Sequence, residues 1–482
     1  MTFEPVIGLE VHVQLKTASK LFCRCPTAFG ADPNSQICPI CAGHPGVLPF
    51  LNKRAVELLV QAALGLGCTI TPRSVFSRKQ YFYPDLPKAY QISQYDLPLA
   101  TGGTLEIAAS DGTSKTIRIH RIHLEEDAGK LLHAIGNREL DHSLVDLNRA
   151  GIPLAECVSE PDMHTPEEAY SYLTNLKAIF QYLGISDCDM EKGSLRCDAN
   201  ISLRPAGHTQ LGTKAEVKNL NSFKAVKEAL HHEIKRQTEV LNTQGRVVQE
   251  TRLWDETCGV TQSMRSKEEA HDYRYFPEPD LVPIELKTDF LSKIKASLPE
   301  LPTAKKARFI QAYKLSDYDA TVLVGDRLLA EYFEQAVSKA GAEVAKPMCN
   351  WITTELLGRL NAAGRPIADS PVSAEHLAQL VALVQKGTIS GKTAKDVFGE
   401  MFETRQAPAA IVKSKGLVQV GDEPTITRWC DEAIAEMPHA VQEYKGGKER
   451  AIGSLVGLVM KKSQGKANPQ MVNRILLKKL VP

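Results

Sequence analysis

Polar and apolar residues alternate strictly from Gly8 to Leu15. Leu9, Val11, Val13 and Leu15 fall on one side, and Glu10, His12 and Gln14 on the other, which is the pattern of a half-buried strand. A second such strand runs from Ser194 to Leu203. There Ser194, Arg196, Asp198, Asn200 and Ser202 oppose Leu195, Cys197, Ala199, Ile201 and Leu203. Near residue 121 the phase returns: Ile122 and Leu124 turn inward, while Arg121, His123, Glu125 and Asp127 turn out. Asp146 and Asn148 around Leu147, and Glu216 and Lys218 around Val217, are shorter echoes. One-sided strands suit an antiparallel sheet, because parallel strands covered on both faces read as continuous apolar runs. Placed side by side, the polar faces merge into a floor of carboxylates, imidazoles, Arg and Lys. A solvated sheet surface would need none of that chemistry.

Helical periods lie between the strands. One helix is expected from Asn52 to about Leu66, with Val56, Leu59, Val60, Ala63 and Leu64 on a stripe. Thr165, Pro166 and Glu168 give the cap, first residue and capping box of a second, which ends near Gly184. A third spans about Ser222 to Leu241. The fold class is therefore α+β: a largely antiparallel sheet with flanking helices, followed by all-α helical and tail regions. Beyond about Pro299 the period is helical, as in Leu377, Leu380, Val381 and Val384. The expected domains are 1–293, 294–405 and 406–482.

The chain has 482 residues, 43% of them hydrophobic, and a formal net charge of +1. That length supports a substantial core without staples. A neutral balance means that any nucleic-acid affinity must come from a local patch. The N-terminal residues carry no basic-then-apolar leader, and no apolar run approaches the ~18 residues of a membrane span. Eleven scattered cysteines point to a reducing cytoplasm rather than a disulfide framework.

Cys23-Arg24-Cys25 and Cys38-Pro39-Ile40-Cys41 are two paired knuckles on one loop. Four thiolates at this spacing can close a tetrahedral zinc site, and a closed site is structural. Glu10, His12 and Glu125 are candidate ligands of a second ion. Hard oxygen donors suit Mg²⁺, and the imidazole leaves Mn²⁺ or Zn²⁺ open. Gly387-Thr388-Ile389-Ser390-Gly391-Lys392-Thr393 imitates a phosphate loop but is one residue short and follows a helical stripe, so it is expected to connect two helices. Lys79 to Tyr90 packs Tyr, Phe, Lys and Pro into one loop, either as ordinary packing or as the wall of a channel or substrate site. The tail from Lys445 holds nine basic residues, including Lys461, Lys462, Lys466, Arg474, Lys478 and Lys479, against Glu449 alone. Such a concentration favours phosphate contacts.

These segments resemble one family. Ile7 to Leu15, the four-cysteine loop, Tyr81-Phe82-Tyr83-Pro84-Asp85-Leu86-Pro87-Lys88, Arg121 to Lys130, Ser159-Glu160-Pro161-Asp162, Gly193 to Asn200, Glu216 to Ser222 and His271 to Asp280 are similar to the GatB family. Its members are B subunits of tRNA-dependent aspartyl/glutamyl amidotransferases. Ala89 departs from the family pattern where Gly is common, and Cys157 where an aliphatic is expected. The resemblance implies a ligase reaction in two steps. ATP phosphorylates the side-chain carboxylate of Glu or Asp esterified to the wrong tRNA, and ammonia then displaces phosphate. It implies a heterotrimer: an amidase, the A subunit, releases ammonia from glutamine, a small C subunit joins it, and ammonia crosses by a channel. On these terms Glu10, His12 and Glu125 would hold Mg²⁺. Lys79 and Arg196 would neutralise phosphate oxygens, with Asp198 and Lys218 as further candidates. Glu126 and Asp127 would handle the proton of ammonium, and Tyr81 would line its route. The rival of another class is a non-catalytic zinc-ribbon module binding tRNA, which leaves Glu10, His12 and Glu125 without a purpose. A third is an ATP-dependent ligase acting on a free amino acid.

Overall fold

The computed structural model describes residues 2–109, 112–136, 138–266, 270–418, 422–463 and 467–480. The chain forms two compact units, 1–301 and 302–482. The first is built on a nine-stranded sheet. Its strands in chain order are β1 (Phe3–Gln14), β2 (Thr69–Ile70), β3 (Ala100–Ala108), β4 (Ser114–Glu126), β5 (Pro153–Ser159), β6 (Leu195–Pro205), β7 (Ala215–Lys218), β8 (Glu250–Asp255) and β9 (Val260–Ser266). They lie in the order β9-β8-β7-β6-β1-β5-β4-β3-β2. Every pairing is antiparallel except β7 with β8. The expected α+β class, with a mostly antiparallel sheet followed by helices, is the observed one.

The expected helices form, each for a local reason. Asn52 caps α1 (Lys53–Gly65), its side chain accepting from the Arg54 and Ala55 amides. Thr165 caps α2 (Pro166–Tyr182), and Ser222 caps α3 (Phe223–Asn242). Each cap satisfies amides that the first turn leaves orphaned. The Glu168 carboxylate accepts from the His164 amide and pairs with Lys115. The apolar faces of these helices, including Val60, Leu176, Phe180 and Leu230, share one core with Leu9, Val11 and Val13 of β1 and Ile122 and Leu124 of β4. One face of the sheet is therefore buried under helices, and the other carries the polar residues. A register shift between Val158 and Ser159, opposite Arg121 and Ile119, resets the alternation of β4.

A second layer stands over the polar face. Ser77–Gln80, Tyr90–Ser93 and Phe276–Pro277 form a three-stranded sheet. The second unit is helical. One of its cores runs from Phe309 to Val412 and another from Ile426 to Leu480. Gly387 to Thr393 does join two helices there, Ala374–Gln385 and Gly391–Thr404, with Ser390 accepting from the Thr393 amide as the cap of the latter. Among the described residues, no helix is long and apolar enough to cross a membrane.

Candidate active site

Antiparallel register writes the floor in rows. His12 faces Arg196 on β6 and Glu156 on β5, and Glu156 faces His123 on β4. The next row holds Asp198, Glu10, Val158 and Arg121. On the other side, Gln14 faces Leu154, which faces Glu125. Above the floor stand Lys79, Tyr81, Gln91, Ser93, Tyr95, Tyr273 and Tyr275, and the space between is a cleft of about 630 Å³.

The tightest cluster is His12, Glu125 and Glu156. His12 Nε2 lies 3.6 Å from Glu125 Oε1 and 3.4 Å from Glu156 Oε2. His123 Nε2 lies 3.3 Å from the same Glu156 oxygen, and Ser93 Oγ donates to Glu125 at 3.1 Å. His123, Glu125 and Glu156 are buried. Burial works against ionisation of Glu125 and Glu156, yet the two imidazoles outweigh it and hold both carboxyls below their usual range. Burial also disfavours a charged His12, but Glu156 and Glu125 overcome it and raise the imidazole to about 9. One ligand atom from each of His12, Glu125 and Glu156 falls within 4.8 Å of the others. Two ionised carboxylates and an imidazole at that spacing can share one cation.

The structure redraws the expected ligand set. Glu10 does not join His12 and Glu125; its neighbours are Asp198 and Glu216, again within 4.8 Å. Asn200 Nδ2 donates to Glu10 at 2.9 Å, and Thr251 Oγ1 donates to Glu216 at 2.9 Å. Lys218 Nζ donates to Asp198 and lies 3.7 Å from Glu216. Burial opposes the charge of Lys218, but Asp198 and Glu216 raise its pKa. Glu156 and Glu216 are the acids that sequence reasoning left out of the site. Glu216 was visible beside Val217, whereas Glu156 stands in the nearly unbroken apolar run Leu154-Ala155-Glu156-Cys157-Val158.

The remaining candidates divide. Lys79 points into the cleft with Nζ 4.8 Å over the Tyr273 ring, and Tyr81 lies beside it. Burial opposes the Lys79 charge, but Tyr275, Glu125 and Glu156 hold its pKa above the ordinary value. Arg196 donates to Asp127 Oδ1 at 2.8 Å, while Gln14 donates to Asp127 Oδ2 at 2.8 Å. Asp127 thus anchors Arg196 at the edge of the cleft. Glu126 lies apart from the cleft. It accepts from Lys88 and from the Ile92 amide at 3.0 Å, and lines a smaller pocket with Cys23 and Cys41.

The four cysteines meet as their spacing predicts. Cys41 Sγ is 4.0 Å from both Cys25 Sγ and Cys38 Sγ, and all four sulfurs lie within 4.8 Å of one another. Tetrahedral Zn–S bonds of about 2.3 Å require S–S edges of roughly 3.8 Å, so the cluster fits zinc. Lys20, with no exposed surface, sets Nζ 3.5 Å from Cys41 Sγ and donates to the Leu147 carbonyl at 3.2 Å. The Cys41 thiol is held down to about 4, first by the Cys23 hydrogen bond and, among smaller causes, by Lys20.

The basic tail is partly neutralised by acids earlier in the chain. Lys462 pairs with Glu432 and Glu436, Lys479 with Asp431, and Lys448 with Glu443. Lys466 lies outside the described residues.

The chain thus joins a strand floor of acids under a tyrosine wall to a four-thiol loop and a helical second unit. Residues 5–292 match the GatB/GatE catalytic domain, and residues 331–480 match the GatB domain. The chain belongs to the GatB family, whose members serve a ligase. A relative from Carboxydothermus hydrogenoformans is 56% identical over 99% of both chains. One from Geobacter sulfurreducens is 55% identical and one from Persephonella marina 54%, over 100% and 99% of both chains respectively. All three are named as the B subunit of aspartyl/glutamyl-tRNA(Asn/Gln) amidotransferase.

Proposed function

We propose that this protein phosphorylates the side-chain carboxylate of Glu or Asp esterified to tRNA(Gln) or tRNA(Asn), using ATP, and then amidates it. The observation that carries the reading is the convergence of His12, Glu125 and Glu156 beside Lys79 and Arg196 in one cleft. A carboxylate resists attack by ammonia until one oxygen becomes a good leaving group. In the first step that oxygen takes the γ-phosphoryl group and ADP leaves. In the second, ammonia attacks the carbonyl carbon, phosphate departs and the amide remains. Phosphoryl transfer asks chiefly for positioning and charge neutralisation.

His12, Glu125 and Glu156 would hold Mg²⁺, which supplies neutralisation of phosphoryl oxygens when bound; Glu10, Asp198 and Glu216 form a second acid group of the same kind. Lys79 and Lys218 direct positive charge at the phosphates. Asp127 holds Arg196 for the same task. Glu126, paired with Lys88, would accept the proton of entering ammonium, and Tyr81 would line the way in. The letter B in the name shared by the relatives supports partners in a heterotrimer. They are an amidase (A) subunit that releases ammonia from glutamine into a channel, together with a small (C) subunit. The complex would act in the cytoplasm, where its substrates are made, with the basic tail on tRNA. The test is reconstitution with both partners, each misacylated tRNA, ATP and either glutamine or ammonium. Conversion of attached Glu or Asp to Gln or Asn with stoichiometric ADP is expected. Binding of tRNA without ATP consumption would favour the non-catalytic module instead.

A further inference from the structure

Helix α3 buries Val226, Ala229 and Leu230 against the sheet, and one turn further on it buries a charge. Glu233 has no exposed surface, although it stands where the helix's apolar face would carry Leu or Ile. A carboxylate so placed is costly unless its oxygens are fully paired. Arg236 Nε and Nη2 each donate to it at 2.8 Å, and Gln237 Nε2 donates at 3.0 Å. Thr261 of β9 donates as well, and Arg252 Nε of β8 lies 3.1 Å from Oε1.

Arg252 also closes the hairpin at the sheet's edge. Its Nε donates to Thr261 Oγ1 at 3.0 Å, its Nη2 to the Thr261 carbonyl at 2.8 Å, and its Nη1 pairs with Glu250. The hairpin joins the rest of the sheet through β7, in three parallel residue pairs. Parallel pairs hold slightly less well than antiparallel ones, so the ion cluster adds a tether from the hairpin to α3. Successive side chains of a strand point to opposite faces. Arg252 therefore reaches the helices, and Thr251 before it reaches the cleft. The register with β9 slips between these two residues, Thr251 facing Arg265 and Arg252 facing Ser263. Such a bulge re-aims a side chain. Buried Thr251 Oγ1 donates to Glu216 Oε2 at 2.9 Å, and Glu216 Oε1 lies 3.7 Å from Lys218 Nζ.

We propose that Glu233 and Arg252 are positioning residues of the cleft. From the helix-covered face of the sheet they fix Thr251, which fixes Glu216 and so the direction in which Lys218 presents its charge to the phosphates. The inference rests on the phosphoryl-transfer reading and adds to it two residues that touch no substrate.

The test uses the reconstituted heterotrimer carrying Glu233→Gln, which keeps the shape of the side chain and removes its charge. Arg252→Lys keeps a charge but loses the fork to Thr261, and it serves should Glu233→Gln not fold. The KM for ATP should rise about ten-fold, the effect of losing roughly 1.4 kcal/mol of binding. The KM for aminoacyl-tRNA should not move. Thr251→Val should reproduce the shift. Adding Glu233→Gln to Thr251→Val or to Lys218→Met should bring no further rise, because residues that act through one another are not additive. An unmoved KM for ATP overturns the proposal, since a fall in kcat alone marks a smaller folded fraction. So does a full ten-fold rise on the Lys218→Met background. Equal rises in both KM values overturn it too, because the hairpin would then support the whole cleft. A wild-type complex that consumes no ATP would instead remove the phosphoryl-transfer reading, and with it the inference.

Discussion

Cys23, Cys25, Cys38 and Cys41 reach one another through a single loop, whereas His12, Glu125 and Glu156 meet only because three strands lie side by side. Both clusters can hold a metal ion, and the difference in construction matches a difference in chemistry. Four thiols close a coordination sphere and leave no position for substrate. Two carboxylates and an imidazole leave positions free and face a cleft of about 630 Å³. The closed cluster is suited to holding a loop together, and the open one to chemistry. The two places are also neighbours: Glu126, next to the floor carboxylate Glu125, lines a pocket with Cys23 and Cys41.

Substitutions at each place should separate them. The largest effect is expected for Glu125→Gln, which removes a charged carboxylate from between His12 and His123. ATP-dependent amidation should fall by about 10³-fold, with tRNA binding and zinc content unchanged. Cys41→Ser should do the reverse. Zinc content measured by atomic absorption should fall, and thermal unfolding should shift down by several degrees as the folding energy supplied by a structural ion is lost. Lys20→Met, which removes the buried cation 3.5 Å from Cys41 Sγ, should weaken zinc binding by about 10–100-fold in a chelator competition.

A pH experiment on protein kept zinc-loaded but free of Mg²⁺ probes the floor. His12 is raised to about 9 by its two carboxylates. A group whose pKa is higher in the folded chain contributes stability that is complete below its ordinary pKa of about 6.5. That contribution should fade as pH climbs through 9. The gap in unfolding temperature between wild type and His12→Gln should therefore narrow from pH 7 to pH 10. A constant gap would mean that the imidazole carries no proton shared with Glu125 and Glu156. The smallest effect concerns the turn beside Lys88. Ala89 sits at φ 60°, a left-handed conformation that glycine adopts freely. Ala89→Gly should stabilise the chain by about 0.5–1 kcal/mol, read from chemical denaturation, without altering either cluster.

Strict alternation made the floor legible. Glu10, His12, Arg196, Asp198 and Glu125 all stand on the polar face where the pattern put them. The grouping of acids was not legible. Two residues along a strand span about 6.8 Å, so Glu10 belongs to the row beyond His12 and joins Asp198 and Glu216. Glu126 follows Glu125 directly and so points away from the cleft. Glu156 escaped notice because β5 is central and covered on both faces, by helices on one and by the tyrosine wall on the other. Alternation disappears in such a strand, and the lone carboxylate within its apolar run was the remaining signal. The cysteine loop needed no fold to be read, since its ligands are set by local spacing. The charge of the tail was overstated by sequence, because Asp431, Glu432 and Glu436 lie upstream of the segment they neutralise.

The central claim is that His12, Glu125 and Glu156 converge on one divalent cation. Electron paramagnetic resonance of Mn²⁺ added to the zinc-loaded heterotrimer tests it without requiring turnover. Wild type should take up Mn²⁺ at this site, while Glu125→Gln and Glu156→Gln should each weaken that uptake by about 100-fold or more with zinc retained. Undiminished Mn²⁺ binding in both variants would contradict the account.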